Sequence, residues 1–184
     1  NKRSKIIIYD KRLSSSIHLK KLIKKLGKKT NSIAVPSGEK SKSVETLNTI
    51  YNKLFSNNMD RDSVLYAFGG GVIGDLSGFA AATYMRGIDY VQLPTTLLSQ
   101  IDSSVGGKTA INSSFGKNLI GSFYQPKLVL IDINTLESLP KKQMLSGYAE
   151  MIKYGLINNK KFYLWLEKNG KKIIDKSNKE LEYG

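Results

Sequence analysis

The 184-residue chain has no cysteine, a single histidine, a single tryptophan and four prolines. Without cysteine it can form no disulfide and no thiolate zinc site, and it has no cysteine nucleophile. No apolar run approaches the roughly 20 residues needed to cross a bilayer, so we expect no membrane span. The lack of thiols fits a reducing compartment, and we expect a cytoplasmic protein. The chain begins with Asn1 and not Met, without a charged-then-apolar leader, so we expect a processed or cropped product.

Acidic residues are scarce beside lysine and arginine, at 15 against 29, which gives a net charge of +14. The excess lies on the flanks, since residues 1–30 carry +10, residues 31–157 carry +1 and residues 158–184 carry +3. A lysine-rich helix face is usually solvated surface, so we expect no nucleic-acid partner. A basic nucleic-acid-binding module is the alternative, and its affinity would fall steeply with salt. The lysines of this face are Lys20, Lys21, Lys24, Lys25 and Lys28.

Short β-branched runs alternate with segments of helical apolar spacing, which predicts an α/β fold with a parallel sheet covered on both faces. The predicted strands are 5–10, 32–35, 63–68, 89–93 and 127–131, with a short strand at 109–111. The predicted helices are 14–29, 42–55, 72–85, 95–100, 144–157 and 161–168. Strand signals stop at Pro140, so we expect one domain over residues 1–137 and the beginning of a helical one over 138–184.

The segment from Gly69 to Asp75 (GGGVIGD) matches G-x-G-x-x-G between a predicted strand and a predicted helix. A helix N-terminus in this context presents backbone N–H groups to a phosphate. The standard dinucleotide fingerprint fails, because the motif follows the third strand and Pro94 and Thr95 stand where an acidic residue is needed, about twenty residues past Gly74. The segment predicts a non-standard phosphate or nucleotide loop. The alternative is that the glycines serve only a tight turn and close packing.

The segment from Asp102 to Thr109 (DSSVGGKT) nearly matches a P-loop. Asp102 stands where that pattern needs glycine and no strand leads into the segment, which argues against a nucleotide triphosphatase. Lys117 and Asn118 follow after a serine-rich turn, on what we expect to be a second glycine-bounded loop. These groups, with Lys108, predict an anion site, because lysine acts on phosphate as a point charge.

Glu150 and Lys153 are three residues apart on a predicted helix and therefore share one face. Their neighbours are mostly apolar, which favours a partly buried, working pair over a surface ion pair. A metal would need more ligands than this one carboxylate. His18 lies in the basic first helix, and we do not expect it to be a ligand.

Five long motifs, in order from about residue 38 to residue 167, resemble the 3-dehydroquinate synthase family of sugar-phosphate cyclases. They are GEKSK at 38–42, FGGGVIGDLSGFAAATYMRG at 68–87, QLPTTLLSQIDSSVGGKTAIN at 92–112, GKNLIGSFYQP at 116–126 and LPKKQMLSGYAEMIKYG at 139–155. The resemblance implies a Rossmann-like NAD-binding domain, N-terminally incomplete, followed by the beginning of an all-α metal- and substrate-binding domain. Family members are much longer, so we expect this chain alone to be inactive.

The family converts a seven-carbon keto-sugar acid phosphate (DAHP) into 3-dehydroquinate and phosphate, the second step of the shikimate pathway. The resemblance implies bound NAD⁺, which oxidises a ring hydroxyl and is later regenerated, and a divalent metal, usually zinc. One alternative is another sugar-phosphate cyclase, of the 2-deoxy-scyllo-inosose synthase type. A metal-dependent polyol or alcohol dehydrogenase is a further alternative, but a simple alcohol needs no phosphate cluster.

The resemblance also assigns roles to single residues. Glu150 matches the metal's carboxylate ligand, and Arg86 matches an arginine that reaches the substrate phosphate of a neighbouring subunit, which implies a homodimer. Glu39 and Lys42 match contacts to the adenosine ribose. The catalytic positions are Asp102, Lys108, Asn118, Lys153 and Arg86. The cofactor-binding positions are Glu39, Lys42, Gly70, Gly71, Val72, Asp75, Thr95, Thr96, Asp102, Lys108, Lys117, Ser138 and Leu139.

Overall fold

The structure, a computed structural model, describes residues 3–27 and 30–184. Asn1 and Lys28 lie outside the described residues, as does the end of the predicted first helix. The strands of the described part are β1 (Lys5–Asp10), β2 (Asn31–Val35), β3 (Val64–Gly69), β4 (Asp89–Pro94), β5 (Lys108–Ser113), β6 (Gly116–Phe123) and β7 (Leu128–Val129). Its α-helices are α1 (Ile17–Leu26), α2 (Val44–Ser56), α3 (Gly71–Thr83), α4 (Lys141–Asn158), α5 (Lys160–Ile174) and α6 (Asn178–Tyr183).

The main sheet is parallel and has the order β2-β1-β3-β4-β7, which confirms the α/β fold class. Three consecutive isoleucines of β1 are fully buried because the strand is covered on both faces. Ile6 and Ile8 join the core under α2 and α3, whereas Ile7 faces α1 with Leu19. The order reverses between β1 and β3, and at such a switch point the carboxyl ends of the strands form a ligand-binding crevice.

The hairpin of β5 and β6 lies outside this sheet and packs on α3. Gly78 permits this packing, because a Cβ at that position would overlap the side chain of Thr109. Backbone bonds also tie the hairpin to the loop after β2, since the amide of Asn112 donates to the carbonyl of Lys42 at 2.8 Å. The hairpin is therefore held in a fixed position beside α3.

Three sequence-based expectations need correction. Residues 95 and 96 are not helical; the chain becomes helical at Leu97 and passes through a π-helical turn at Ser99–Ser103. The strand expected over 127–131 is reduced to β7, at the edge of the sheet. The prediction of a loop at Lys117 is wrong, because residues 116–123 form the strand β6. In addition, the sequence analysis did not predict helix α6.

A second apolar cluster lies among the helices that follow the sheet. It joins Leu97 to residues of the turn before α4 and of α4, α5 and α6. Its buried members are Leu97, Leu136, Leu139, Met144, Met151, Leu166, Ile173 and Leu181. Within the described ranges, no helix combines the length and the apolar character that crossing a membrane requires.

Candidate functional site

Two cavities flank the beginning of α3. The first, of about 370 Å³, lies at the switch point of the sheet, where β1 and β3 end. The second, of about 520 Å³, lies between α3, the π-helical turn and the β5–β6 hairpin. Most of the site residues predicted from the sequence line one of these two cavities.

The first cavity, which we call the glycine-loop cavity, has the N-terminus of α3 in its wall. Gly70 precedes the helix and provides no side-chain cap, so the N–H groups of Gly71 and Val72 remain available to an anion, whereas that of Ile73 donates to the carbonyl of Gly70. Close packing explains the absence of side chains, because a Cβ at Gly70 would lie 3.0 Å from Cγ2 of Thr96 and one at Gly71 would lie 3.0 Å from Oγ of Ser103. The predicted residues lining this cavity are Gly70, Gly71, Val72, Thr95, Thr96, Ser138 and Leu139.

The second cavity, which we call the hairpin cavity, brings together polar groups from four segments. Asp75 comes from α3, Asp102 from the π-helical turn, Lys108 from β5 and Asn118 from β6. The four residues span positions 75 to 118, and the hairpin's packing on α3 brings them together. The combination of a lysine, an amide and two carboxylates suits a ligand that carries both a phosphate and hydroxyl groups.

Lys42 is the buried centre of a polar network at the edge of the hairpin cavity. Only 3% of the residue is exposed, and its Nζ donates to Asp75 Oδ2 at 2.6 Å and to the side-chain oxygen of Asn118. Burial raises the pKa of Asp75 above its ordinary value, and the bond from Lys42 offsets part of this rise. Glu39 lies beside this network and accepts a bond from Asn112 at 2.9 Å. Lys42 therefore belongs with the hairpin residues and does not line the glycine-loop cavity.

Helix α4 adds a second polar network. Tyr154 donates to Asp102 Oδ1 at 2.7 Å, and this bond, followed by burial, raises the pKa of Tyr154 to about 12. Lys153 contacts the carboxylate of Glu150, and its Nζ lies 5.2 Å from the centre of the Tyr154 ring. The Glu150 bond raises the pKa of Lys153. The expected Glu150–Lys153 pair is present, with the Lys153 side chain 52% exposed.

Six predicted site residues line neither cavity; Glu39, Lys42, Glu150 and Lys153 belong to the two polar networks, and Arg86 and Lys117 belong to neither network. Arg86 is exposed, and it follows Met85 in a turn where both residues have positive φ, +50° and +69°. Such backbone is uncommon for residues other than glycine and is found where a side chain must be presented in one direction. Lys117 is exposed on β6 and lines neither cavity.

Sequence reasoning missed three residues that the fold brings to the site. Asp10 and Arg12 line the glycine-loop cavity from the end of β1, and Tyr154 bonds Asp102. The position of Asp10 directly after a buried strand was the available signal, because the carboxyl ends of parallel strands meet at one edge. Nothing in the sequence pairs Tyr154 with a residue 52 positions earlier.

The described residues fit a dinucleotide better than a metal. The uncapped helix N-terminus and the side-chain-free approach at Gly70 and Gly71 are suited to a pyrophosphate. Over the described ranges, no three His, Cys, Asp or Glu side chains are grouped so as to hold a metal ion. A catalytic zinc needs three protein ligands, so Glu150 alone does not make a metal site.

Comparison with known proteins identifies the family. Residues 32–146 match the family model described as 3-dehydroquinate synthase N-terminal. The chain belongs to the 3-dehydroquinate synthase family. A curated 3-dehydroquinate synthase from Shewanella pealeana is 55% identical over 151 residues, which cover 82% of this chain and 42% of that protein. The chain spans about half the length of the curated relatives it matches.

Solved structures of related cyclases have the same fold. The 2-epi-5-epi-valiolone synthase ValA from Streptomyces hygroscopicus subsp. jinggangensis, with NAD⁺ and Zn²⁺ bound, superposes with a TM-score of 0.86 at 27% identity, covering 95% of this chain and 49% of that one. A 2-deoxy-scyllo-inosose synthase complexed with carbaglucose-6-phosphate, NAD⁺ and Co²⁺ gives a TM-score of 0.76 at 31% identity, covering 82% of this chain and 41% of the other. In sequence, the chain is more similar to the 3-dehydroquinate synthase from Shewanella pealeana, at 55% identity, than to either of these two cyclases, at 27% and 31%.

Proposed function

We propose that this chain is the NAD-binding part of a 3-dehydroquinate synthase, a carbon–oxygen lyase that converts DAHP into 3-dehydroquinate and phosphate in the shikimate pathway. The observation that carries the proposal is the network in which buried Lys42 joins Asp75 to Asn118 beside a helix N-terminus suited to phosphate. The 55% identity to a 3-dehydroquinate synthase supports the choice of reaction.

In this proposal the dinucleotide lies across the carboxyl edge of the sheet. The N–H groups of the first turn of α3, at Gly71 and Val72, bind the pyrophosphate, and Gly70 lets it approach. NAD⁺, when bound, supplies the temporary oxidation of a substrate hydroxyl. The residues we assign to cofactor binding are Glu39, Lys42, Gly70, Gly71, Val72, Asp75, Thr95, Thr96, Asp102, Lys108, Lys117, Ser138 and Leu139.

The substrate lies in the hairpin cavity. Lys108 and Asn118 bind its phosphate, so that positive charge and an amide donor stabilise the leaving group. Asp102 accepts a hydrogen bond from a substrate hydroxyl, and the bond from Tyr154 fixes the orientation of its carboxylate. Lys153, on the same side as Tyr154, contacts a second hydroxyl.

A divalent metal, by the family resemblance zinc, takes Glu150 as one ligand. The other ligands come from outside the described residues of this chain, because no sufficient group is found within them. We therefore propose that the 184-residue chain has no turnover by itself.

The proposal also covers the assembly of subunits and the division of the chain into domains. Arg86, exposed on a turn of unusual backbone, contacts the substrate phosphate of a neighbouring copy in a homodimer. Residues 1–137 form the nucleotide-binding domain, and residues 138–184 begin the helical domain that holds metal and substrate. The proposed location is the cytoplasm.

The test is phosphate release from DAHP by a chain extended past residue 184, either naturally or by fusion to the C-terminal part of the Shewanella relative. We expect release that needs NAD⁺ and leaves no net NADH. Release only from a different sugar phosphate would favour the 2-deoxy-scyllo-inosose synthase type of cyclase. Accumulation of NADH with a polyol would favour the dehydrogenase.

A further inference from the structure

Gln100 is a buried amide that lies between the two cavities. Only 5% of the residue is exposed. Its Nε2 lies 3.2 Å from the carbonyl oxygen of Pro94, 3.2 Å from that of Asp132 and 3.1 Å from Oγ1 of Thr135. Pro94 is the last residue of β4, whereas Asp132 and Thr135 belong to the short 3₁₀ turn that follows β7 and to its N-cap. One side chain therefore joins the carboxyl edge of the sheet to a turn that comes much later in the chain.

The two ends of this contact belong to different cavities. Thr135 lines the glycine-loop cavity. Gln100 lies in the π-helical turn Ser99–Ser103, and Asp102, which follows it in this turn, lines the hairpin cavity. Single π-helical turns are rare and occur frequently at functional sites. The Gln100 side chain therefore links the wall of one cavity to the segment that carries Asp102 in the other.

The Gln100 amide has three oxygen atoms within reach but only two hydrogen atoms to donate. The carbonyl of Asp132 is already bonded, because it accepts from the backbone N–H of Thr135 at 3.1 Å and from the Thr135 hydroxyl at 2.7 Å. Gln100 can therefore bond Pro94 together with Thr135, or Pro94 together with Asp132. The two arrangements differ in whether Gln100 holds the Thr135 hydroxyl, and they give the link two discrete states.

We propose that Gln100 is a positioning residue that couples the two cavities, so that a dinucleotide in the glycine-loop cavity fixes the position of Asp102 in the hairpin cavity. The inference rests on the proposed NAD⁺ binding and assigns the residue through which that binding acts on the substrate site. A dinucleotide against the cavity wall restricts Thr135, and Thr135 selects one arrangement of the Gln100 amide. The amide then holds the π-helical turn and, with it, the carboxylate of Asp102.

The test is calorimetric titration of the 184-residue chain with inorganic phosphate, with and without saturating NAD⁺. Lys108→Met identifies the heat that belongs to the hairpin cavity, because phosphate bound at the glycine loop does not need this lysine. We expect NAD⁺ to tighten phosphate binding to the wild type by about fivefold. Gln100→Met replaces the amide with an apolar group of similar size and should bring this ratio to about one. A residue that only stabilised the fold would lower Tm and leave the ratio unchanged.

Gln92→Met is the matched control. Gln92 is buried to the same degree as Gln100, with 5% of the residue exposed. Its Nε2 lies 3.4 Å from the hydroxyl of Tyr90, which belongs to the same strand, β4. The substitution therefore removes a buried amide without touching the link between the cavities, and the ratio should stay within about twofold of the wild type.

Thr135→Val supplies a second test, because it removes the hydroxyl and keeps the branched shape of the side chain. It should reduce the ratio as Gln100→Met does, and the double variant should lose no more, since the two groups act through one bond. An unchanged ratio in both single variants, or an equal loss in Gln92→Met, would overturn the role of Gln100. A wild type that binds both ligands without coupling would overturn this inference alone. Failure of the wild type to bind NAD⁺ would overturn the proposed function, and this inference with it.

Discussion

The hydroxyl of Tyr154 donates a 2.7 Å hydrogen bond to the carboxylate of Asp102. The two residues belong to different parts of the fold, since Tyr154 lies on the long helix α4 and Asp102 lies on the π-helical turn after β4. The bond joins the helical segment to the wall of the hairpin cavity. Any shift of α4 relative to the sheet would therefore reorient a carboxylate to which we assign substrate binding.

The substitution Tyr154→Phe should lower the stability of the fold at neutral pH. At high pH the variant and the wild type should be equally stable. The raised pKa of Tyr154, about 12, means that its bond contributes fully below the ordinary tyrosine pKa of 10 and is lost as pH rises through about 12. Because Tyr154 is 39% exposed, solvent reduces the contribution of the bond to about 0.5 kcal/mol, and we expect a decrease in Tm of roughly 1–2 °C between pH 7 and 9.

Thermal denaturation followed by circular dichroism measures this effect. Tyr183→Phe is the control, because its hydroxyl makes no hydrogen bond within the described residues. A decrease in Tm that is equal for the two variants would contradict the role of the Asp102 bond.

Lys42→Met should destabilise the fold and weaken NAD⁺ binding together. The substitution leaves Asp75 with no cationic partner in a buried position, which costs about 2–4 kcal/mol. It also removes the bond that holds Asn118 at the cavity. Urea denaturation and NAD⁺ titration test both effects.

Lys40→Met, at an exposed neighbouring position, is the control and should change neither quantity. If the Lys42→Met variant were as stable as the wild type, the network would be solvated and would not support the site.

Gly78→Ala should push the hairpin away from α3. A Cβ there overlaps the side chain of Thr109, and overpacking of this kind costs about 1–3 kcal/mol. Because the hairpin carries Lys108 and Asn118, we expect binding of inorganic phosphate to weaken as well.

Gly74→Ala is the matched control on the same helix. Its Cβ would lie 3.6 Å from the Gln92 side chain, an ordinary contact, and alanine favours a helix by about 1 kcal/mol over glycine. This variant should be as stable as the wild type or more so. If Gly78→Ala and Gly74→Ala lowered the stability equally, the fold would require glycine itself at these positions, and the lack of space at residue 78 would not be the cause.

Zinc should not be retained by the 184-residue chain. Glu150 offers one carboxylate, and the described residues hold no group of three ligands. After dialysis against zinc-free buffer, elemental analysis should find far less than one equivalent of zinc, with no change in Tm on adding EDTA. One equivalent of zinc that Glu150→Gln abolishes would overturn this expectation.

The sequence was sufficient to predict the succession of strands and helices along the chain and a parallel sheet, because its apolar residues follow the periods of buried strands and amphipathic helices. It failed at β6, where most residues are exposed and Gly116 and Gly121 interrupt the pattern, so that Lys117 and Asn118 were expected on a loop. The helix expected from Thr95 begins only at Leu97, because Thr96 and Ser99 bond each other's backbone and side chains in a local turn.

The site was predicted as a set of residues but not as two cavities. Lys42 was assigned to the adenosine ribose, yet its ammonium bonds Asp75 and Asn118. The pairing of residues 76 positions apart depends on how the hairpin packs, which no local pattern encodes. Asp10 was missed for a related reason, since the sequence analysis looked for an acidic residue after the glycines, whereas Asp10 reaches the cavity wall from the end of β1, before them.

The first strand of the chain is also an interior strand of the sheet, with β2 on one side and β3 on the other. During synthesis β1 is made before both of its neighbours, and β3 is complete only when residue 69 has been added. Parallel pairing over such a separation is slow, so the nascent chain exposes three isoleucines for the whole of that interval. Proteolysis that removed β1 would separate β2 from the other three strands of the sheet and would not merely trim an edge.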